Sequence, residues 1–216
     1  MDSIKHIIGQ QGVHTKYPSF LSKEECAHIR AVVDKYENDV MSIHNPNESG
    51  YKGLLTGQFH VFNWLSVPEI AELDIPTRLF QLDEIKKCHQ LIIQCWCNTL
   101  RKDQGLILHR HAQGGEPKSR EDTVEIFHRR PAMFYSSNIF LGGKHNKTWF
   151  ETLGDIEHEE GDLMIFDNHL LHEVEKNPYD DTRYSMAFDI WTRFSDGHEQ
   201  NMQNKIRYEN PFTHTR

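Results

Sequence analysis

The spacing of apolar positions changes near residue 91. Before it, apolar side chains recur every three or four residues; after it, they alternate or gather in short β-branched and aromatic blocks. Residues 20–36, FLSKEECAHIRAVVDKY, put Cys26, Ile29, Val32 and Val33 on one stripe of a helix. Ser22 followed three positions later by Glu25 has the pattern of a capping box, which predicts where that helix starts. Residues 68–73 and 76–88 predict two further helical pieces, with Leu79, Leu82 and Ile85 as the buried stripe of the second. Residues 45–57, rich in Asn, Gly and Ser, predict a loop, and the alternation over 58–65 is too weak to assign.

From residue 91 the period is two. LIIQCWCNTL (91–100) reads as a strand, a polar turn follows at 102–105, and LILHRH (106–111) reads as the next strand. After a long polar insertion, short apolar runs stand at 132–141, 148–150, 162–166, 171–174 and 183–191. About seven short strands with Gly, Asn and Asp between them are the pattern of an all-β barrel or two-sheet jelly roll, with the early helices packed outside one sheet. Gly142, Gly143 and Gly161 stand where such sheets must turn. The expected architecture is therefore mainly β with supporting N-terminal helices, a double-stranded β-helix (jelly-roll) barrel. One domain is expected over 1–216: helical support to about 90, a jelly-roll core over about 91–192, and a polar tail or lid over 193–216.

Composition narrows the setting. With 216 residues, 37% of them hydrophobic, the chain can fill one sizeable core and hardly two. A formal net charge of −8 argues against a general phosphate-binding surface, so no nucleic-acid partner is expected, although a local basic groove would be compatible with it. No apolar run approaches the roughly 20 residues of a membrane span, and the first residues have no signal-peptide core. The expectation is a soluble, cytoplasmic protein without a membrane partner. Cys26, Cys88, Cys95 and Cys97 form no C-x-x-C pair, which favours reduced, buried thiols over a zinc site.

Among fifteen histidines, only spacing and context can promote one. His109 and His111 are two apart and share a face if their run is a strand, and His172 precedes Arg183 by eleven residues. Three neutral imidazoles leave part of a metal's coordination sphere open, as a catalytic site requires, and a buried arginine forks onto a carboxylate. Taken singly, the two-apart histidines also fit the polar face of an edge strand, and His172 fits a histidine at the edge of a core. Arg183 is harder to place that way, because arginine is seldom buried without an anion. Within 183–191, Arg183, Ser185, Ala187, Asp189 and Trp191 face one way and Met186, Phe188 and Ile190 the other. Within 132–141, Ser136 and Asn138 alternate with Tyr135, Ser137 and Ile139, so Asn138 is a candidate second contact to a bound acid or one of an outward-facing polar pair.

The run HEV…TRYSMAFDIW resembles the last two strands of the 2-oxoglutarate/Fe(II)-dependent dioxygenases, and its wording is closest to their prolyl-hydroxylase branch. The resemblance extends back through GDLMIF, FLGG and the HRH pair, and faintly to residues 20–33, and so covers most of the chain. It implies Fe(II) held by His109, His111 and His172, 2-oxoglutarate as cosubstrate anchored by Arg183 with help from Ser185, dioxygen as oxidant, and ascorbate as an optional reductant. The implied reaction hydroxylates a C–H bond, with a prolyl residue of a protein or peptide favoured, and releases succinate and carbon dioxide. There is one departure: the family carries Asp or Glu where this chain has His111, and the alternative is that a carboxylate such as Glu116 supplies the third ligand. Two other readings stay open. A cupin would use the same H-x-H without 2-oxoglutarate but gives Arg183 no task, and a non-catalytic metal-binding protein does not require TRYS. Residues 113–131 leave the sheet directly after the candidate ligands, where loops set specificity; their mixed charge favours a peptide or polar small molecule.

Overall fold

The structure is a computed structural model that describes residues 4–7, 13–46, 51–111, 134–192 and 204–212. Two antiparallel sheets face each other. The larger has seven strands in the order β1 (Ile4–Ile7), β2 (Val13–Tyr17), β8 (Leu163–Asp167), β5 (Phe134–Gly142), β10 (Arg183–Trp191), β3 (Gln90–Leu100), β11 (Ile206–Glu209). The smaller has four: β4 (Leu106–His109), β9 (His172–Val174), β6 (Lys147–Phe150), β7 (Gly154–Glu157). This is the expected mainly β jelly roll, with β10 central in the large sheet between β5 and β3.

Strand parity explains why the large sheet is buried on both faces. Ile93, Cys95 and Cys97 of β3, Ile139 and Leu141 of β5, Leu163 and Ile165 of β8, and Met186, Phe188 and Ile190 of β10 all join the main core. That core also takes in the stripe Cys26, Ile29, Val32 and Val33 of α1 (Lys23–Met41), which packs on β5. The alternate positions face the small sheet, where Met164 and Phe166 meet Phe150 and Leu170. Helices thus occupy one face of the sheet and leave the other for the site.

The helix α1 begins as its sequence predicts: the Glu25 amide donates to Ser22 Oγ at 3.1 Å, and the Ser22 amide donates to the Glu25 carboxylate at 2.8 Å. The stretch 76–88 is different. The first predicted piece forms α2 (Pro68–Ala71), but of 76–88 only the part within α3 (Ile75–Leu79) is helical, and residues 80–88 continue as turns. Leu82, Ile85 and Cys88 amides donate to the carbonyls three residues back, so a period-three stripe stays buried without a helix. Short 3-10 turns at Leu55–His60 and Trp64–Ser66 fill the unassigned stretch. The N-terminal support contains two strands, β1 and β2, and the expected polar tail contains one, β11, which pairs with β3. The exposed Arg207 and Glu209 hid β11, and the buried polar His14 and Thr15 gave β2 little apolar alternation.

Gly161 ties the helical layer to the sheet. Its φ of +91° lies in the left-handed region, its carbonyl accepts from the Leu21 amide at 3.1 Å, and a Cβ there would stand 2.1 Å from the Leu21 carbonyl oxygen. Gly161→Ala combines backbone strain with a clash against main chain, and an expected loss of about 2 kcal/mol or more should be visible as a lower denaturant midpoint at an unchanged m-value. An unaffected midpoint would show that this junction carries no constraint.

Candidate metal centre and acid-binding pocket

Antiparallel pairing of β4 with β9 sets His109 directly opposite His172, and β6 sets Phe150 on the other side of His172. A register shift in β4 lies between Leu106 and His109, and the strand ends at His109. His111 therefore lies just beyond the strand rather than within it, held by its own amide donating to the Asn168 carbonyl at 2.9 Å. The three imidazoles nonetheless converge: one nitrogen from each lies within 4.8 Å of the others, a spacing at which a single metal ion could be held. His109 and His172 rings are 4.3 Å apart, and His111 stands 5.2 and 5.1 Å from them.

Hydrogen bonding decides which nitrogen points inward. His109 Nδ1 faces the Ile107 carbonyl at 2.7 Å, His172 Nδ1 the Leu170 carbonyl at 2.8 Å, and His111 Nδ1 the Asp189 carboxylate at 2.7 Å. Carbonyls and carboxylates accept, so each Nδ1 carries the proton and each Nε2 offers its lone pair. Desolvation, reinforced by the neighbouring rings, keeps two of the imidazoles neutral: the His109 pKa falls to about 4 and that of His172 falls well below 6.5.

Deeper in the same cavity, of about 730 Å³, lies Arg183. It is 1% exposed, one terminal nitrogen donates to Ser185 Oγ at 3.0 Å, the other reaches Thr148 Oγ1 at 3.4 Å, and Nε has no partner. Burial lowers its pKa only to about 10, so it stays charged at neutral pH. Among the described residues no carboxylate pairs with it; the Phe140 ring, 5.5 Å away, is its aromatic neighbour. Ser185 Oγ accepts from Arg183 and from Asn98 Nδ2 at 3.1 Å, which leaves its own proton free to donate. Asn98 Oδ1, Ser137 Oγ and Asn138 Oδ1 also line this cavity as buried atoms without a partner. A guanidinium without a carboxylate partner among the described residues, beside hydroxyls that can donate, is a costly arrangement for a protein alone and a suitable one for an incoming organic acid. The donor set thus fits both a divalent metal and a dicarboxylate.

The structure therefore brings together His109, His111, His172, Arg183, Ser185 and Asn138 around one cavity. Glu116 and the whole of the 113–131 insertion lie outside the described residues. Sequence reasoning missed the roles of Asn98, Thr148 and Asp189. Asp189 was visible as a site-facing position of β10, and Asn98 as an amide in an otherwise apolar strand, but Thr148 has no signal apart from the fold.

A jelly roll that gathers three imidazoles and a buried arginine in one cavity could hold a metal ion beside an organic acid. Residues 94–189 match the family model described as "Putative 2OG-Fe(II) oxygenase". The matched segment, which carries His109, His111, His172 and Arg183, is thus similar to 2-oxoglutarate/Fe(II) oxygenases, a likeness that weighs against the cupin and non-enzyme alternatives. Among similar solved structures, HygX from Streptomyces hygroscopicus, determined with nickel and 2-oxoglutarate bound, is 14% identical at a TM-score of 0.57, covering 84% of this chain and 83% of its own. The viral collagen prolyl hydroxylase vCPH from Paramecium Bursaria Chlorella virus-1 is 16% identical at a TM-score of 0.52, covering 83% and 96%. The 2-ketoglutarate-dependent epimerase SnoN from nogalamycin biosynthesis is 12% identical at 0.56, covering 82% and 76%. At these identities the likeness is one of fold. No curated protein sequence matches the chain. No helix among the described residues is long and apolar enough to cross a membrane.

Because the folded state holds His109 and His172 neutral while the unfolded chain protonates near 6.5, acidification favours unfolding. Metal-free protein should hold its full stability above about pH 6.5 and lose it progressively toward pH 4, as read by denaturant midpoints across that window. The double variant His109→Gln/His172→Gln should flatten this dependence; an equally steep curve would place the titrating groups elsewhere.

Proposed function

We propose that this chain is a non-haem Fe(II), 2-oxoglutarate-dependent hydroxylase of an unactivated C–H bond, with a prolyl residue of a protein or peptide as substrate. The observation that carries the proposal is the pairing, in one cavity, of three convergent imidazoles with a buried arginine that has no carboxylate partner among the described residues. His109, His111 and His172 would hold the iron through Nε2, and Arg183 with Ser185 would bind the distal carboxylate of 2-oxoglutarate. The bound iron and cosubstrate supply the oxidation, in which dioxygen is consumed and succinate and carbon dioxide are released while the substrate gains a hydroxyl.

The chain's residues set the geometry for that chemistry. Three protein donors leave coordination positions free for cosubstrate and oxidant. Phe150 and Phe166, with ring centres 5.5 and 4.9 Å from His172, keep water from the inner side of the centre. Ser185 and Thr148 hold the guanidinium in one plane, ready for a bidentate pair with a carboxylate. Tyr51, Phe59 and Trp96 line the outer cavity, where flat apolar walls suit a pyrrolidine ring. The prolyl reading is also supported by the HEV and TRY wording of β9 and β10 and by the fold shared with vCPH. Ascorbate would serve as an optional reductant, and residues 113–131 follow directly on the ligands, as a specificity loop would.

Two measurements test the proposal. Fe(II)-loaded protein given 2-oxoglutarate and dioxygen should release succinate faster with proline-containing peptides than with free proline, and the peptide should gain the mass of one oxygen atom. Succinate release with no oxygen gained by any peptide would remove the prolyl assignment. Arg183→Met should weaken 2-oxoglutarate binding by roughly two to three powers of ten, because separating a buried charge pair costs about 3–5 kcal/mol. Thermal melting of ligand-free Arg183→Met should be no lower than that of the wild type, since the variant removes an uncompensated buried charge.

A further inference from the structure

One imidazole of the three has a backing the others do not. His109 and His172 lean on backbone carbonyls, whereas His111 Nδ1 meets a carboxylate, Asp189 Oδ1, at 2.7 Å. Asp189 is 6% exposed and projects from the site side of β10, flanked in register by Ser136 of β5 and Gln94 of β3. The Ser136 hydroxyl donates to the same oxygen at 3.2 Å and fixes the carboxylate's orientation. The Trp96 ring, tilted 32° to His111 at 5.5 Å, limits rotation of the imidazole from its other side.

By the resemblance drawn from the sequence, His111 stands where that family usually has a carboxylate ligand, and an all-imidazole face has one unit less negative charge against a divalent ion. Asp189 lies across the ring from the point where the three imidazoles converge. A buried carboxylate is costly unless positive charge lies near it. Lys205, whose ammonium stands 4.4 Å over the Trp191 ring, feels the Asp189 charge, and a dication on the far side of His111 would feel it through the imidazole.

We propose that Asp189 is a positioning residue for the metal centre: it locks His111 as the Nδ1–H tautomer, aims Nε2 at the shared point, and returns through the ring the negative charge that the ligand set lacks. The inference rests on the metal-centre reading above. A carboxylate behind an imidazole raises its basicity as a donor, and losing such a partner typically weakens metal binding by about 10–100-fold.

The test is a Co(II) titration followed by visible absorption, in competition with a chromophoric chelator, on the full chain in four forms: wild type, Asp189→Asn, His111→Asp, and the double variant. Asparagine keeps the shape and one acceptor but removes the charge. In the wild-type background Asp189→Asn should weaken Co(II) about 10–100-fold at unchanged stoichiometry. In the His111→Asp background the same change should strengthen binding or leave it equal, because it separates two carboxylates that would repel. A merely structural role would weaken both backgrounds alike, and that result overturns the inference, as does equal affinity of wild type and Asp189→Asn. If Asp189→Asn does not fold, the double variant decides: Co(II) affinity at least equal to that of the wild type supports the inference, and loss of binding overturns it. His172→Ala separates the two levels. If that variant binds Co(II) as the wild type does, the metal-centre reading fails and this inference with it; if it loses Co(II) while Asp189→Asn does not, only the role of Asp189 fails.

Discussion

The guanidinium of Arg183, carried into the interior on the central strand of the larger sheet, is the charge that the rest of the site is built around. A buried cation with no carboxylate partner among the described residues lowers the stability of the isolated chain, and two hydroxyls, from Ser185 and Thr148, offset only part of that cost. The fold tolerates it because β10 is anchored along its length to both β3 and β5, while its other face is packed by Met186, Phe188 and Ile190. Gly143, at a φ of +113°, lets the chain pass close by: a Cβ there would stand 2.8 Å from the Arg183 Cα. A rigid cation flanked by the Ser185 and Ser137 hydroxyls, which can donate, is preorganised for an organic acid, so cost in the free chain becomes affinity in the complex.

The same electrostatics extend outward along β10. Arg183 at one end and Asp189 toward the other face the cavity from the same side of the strand. Between them, His109 and His172 stay neutral through desolvation, so the cavity holds a positive pole for an acid beside imidazole donors for a metal. The His158 imidazole, kept neutral by burial and by Arg183, donates to or accepts from Thr148 at 3.0 Å and completes the shell behind the arginine.

Much of this was legible along the chain because strands report their faces directly. The 183–191 run is β10 at the same limits, and its alternation separated the core side from the site side correctly. The capping box of α1 was equally plain, because Ser22 and Glu25 make a local contact that needs nothing from the rest of the fold. What stayed hidden depends on register and long-range approach. The opposition of His109 and His172 follows from a pairing with a shift inside β4, and the His111–Asp189 bond joins residues 78 apart. The stretch 76–88 shows a further limit: a three-residue apolar spacing is met by successive turns as well as by a helix. Strand β11 alternates over only four residues within a polar segment, too short a signal to read.

The central claim, that one cavity binds a metal and a 2-keto dicarboxylate side by side, is tested most directly by absorption spectroscopy in the absence of dioxygen. Fe(II) added to the protein should give no visible band alone, and 2-oxoglutarate should then raise a weak charge-transfer band, because a keto acid chelates the metal through two oxygens. Succinate, which has the two carboxylates but no keto group, should not raise it. If 2-oxoglutarate raises no band in protein shown to contain Fe(II), metal and acid do not share the cavity, and the account is contradicted.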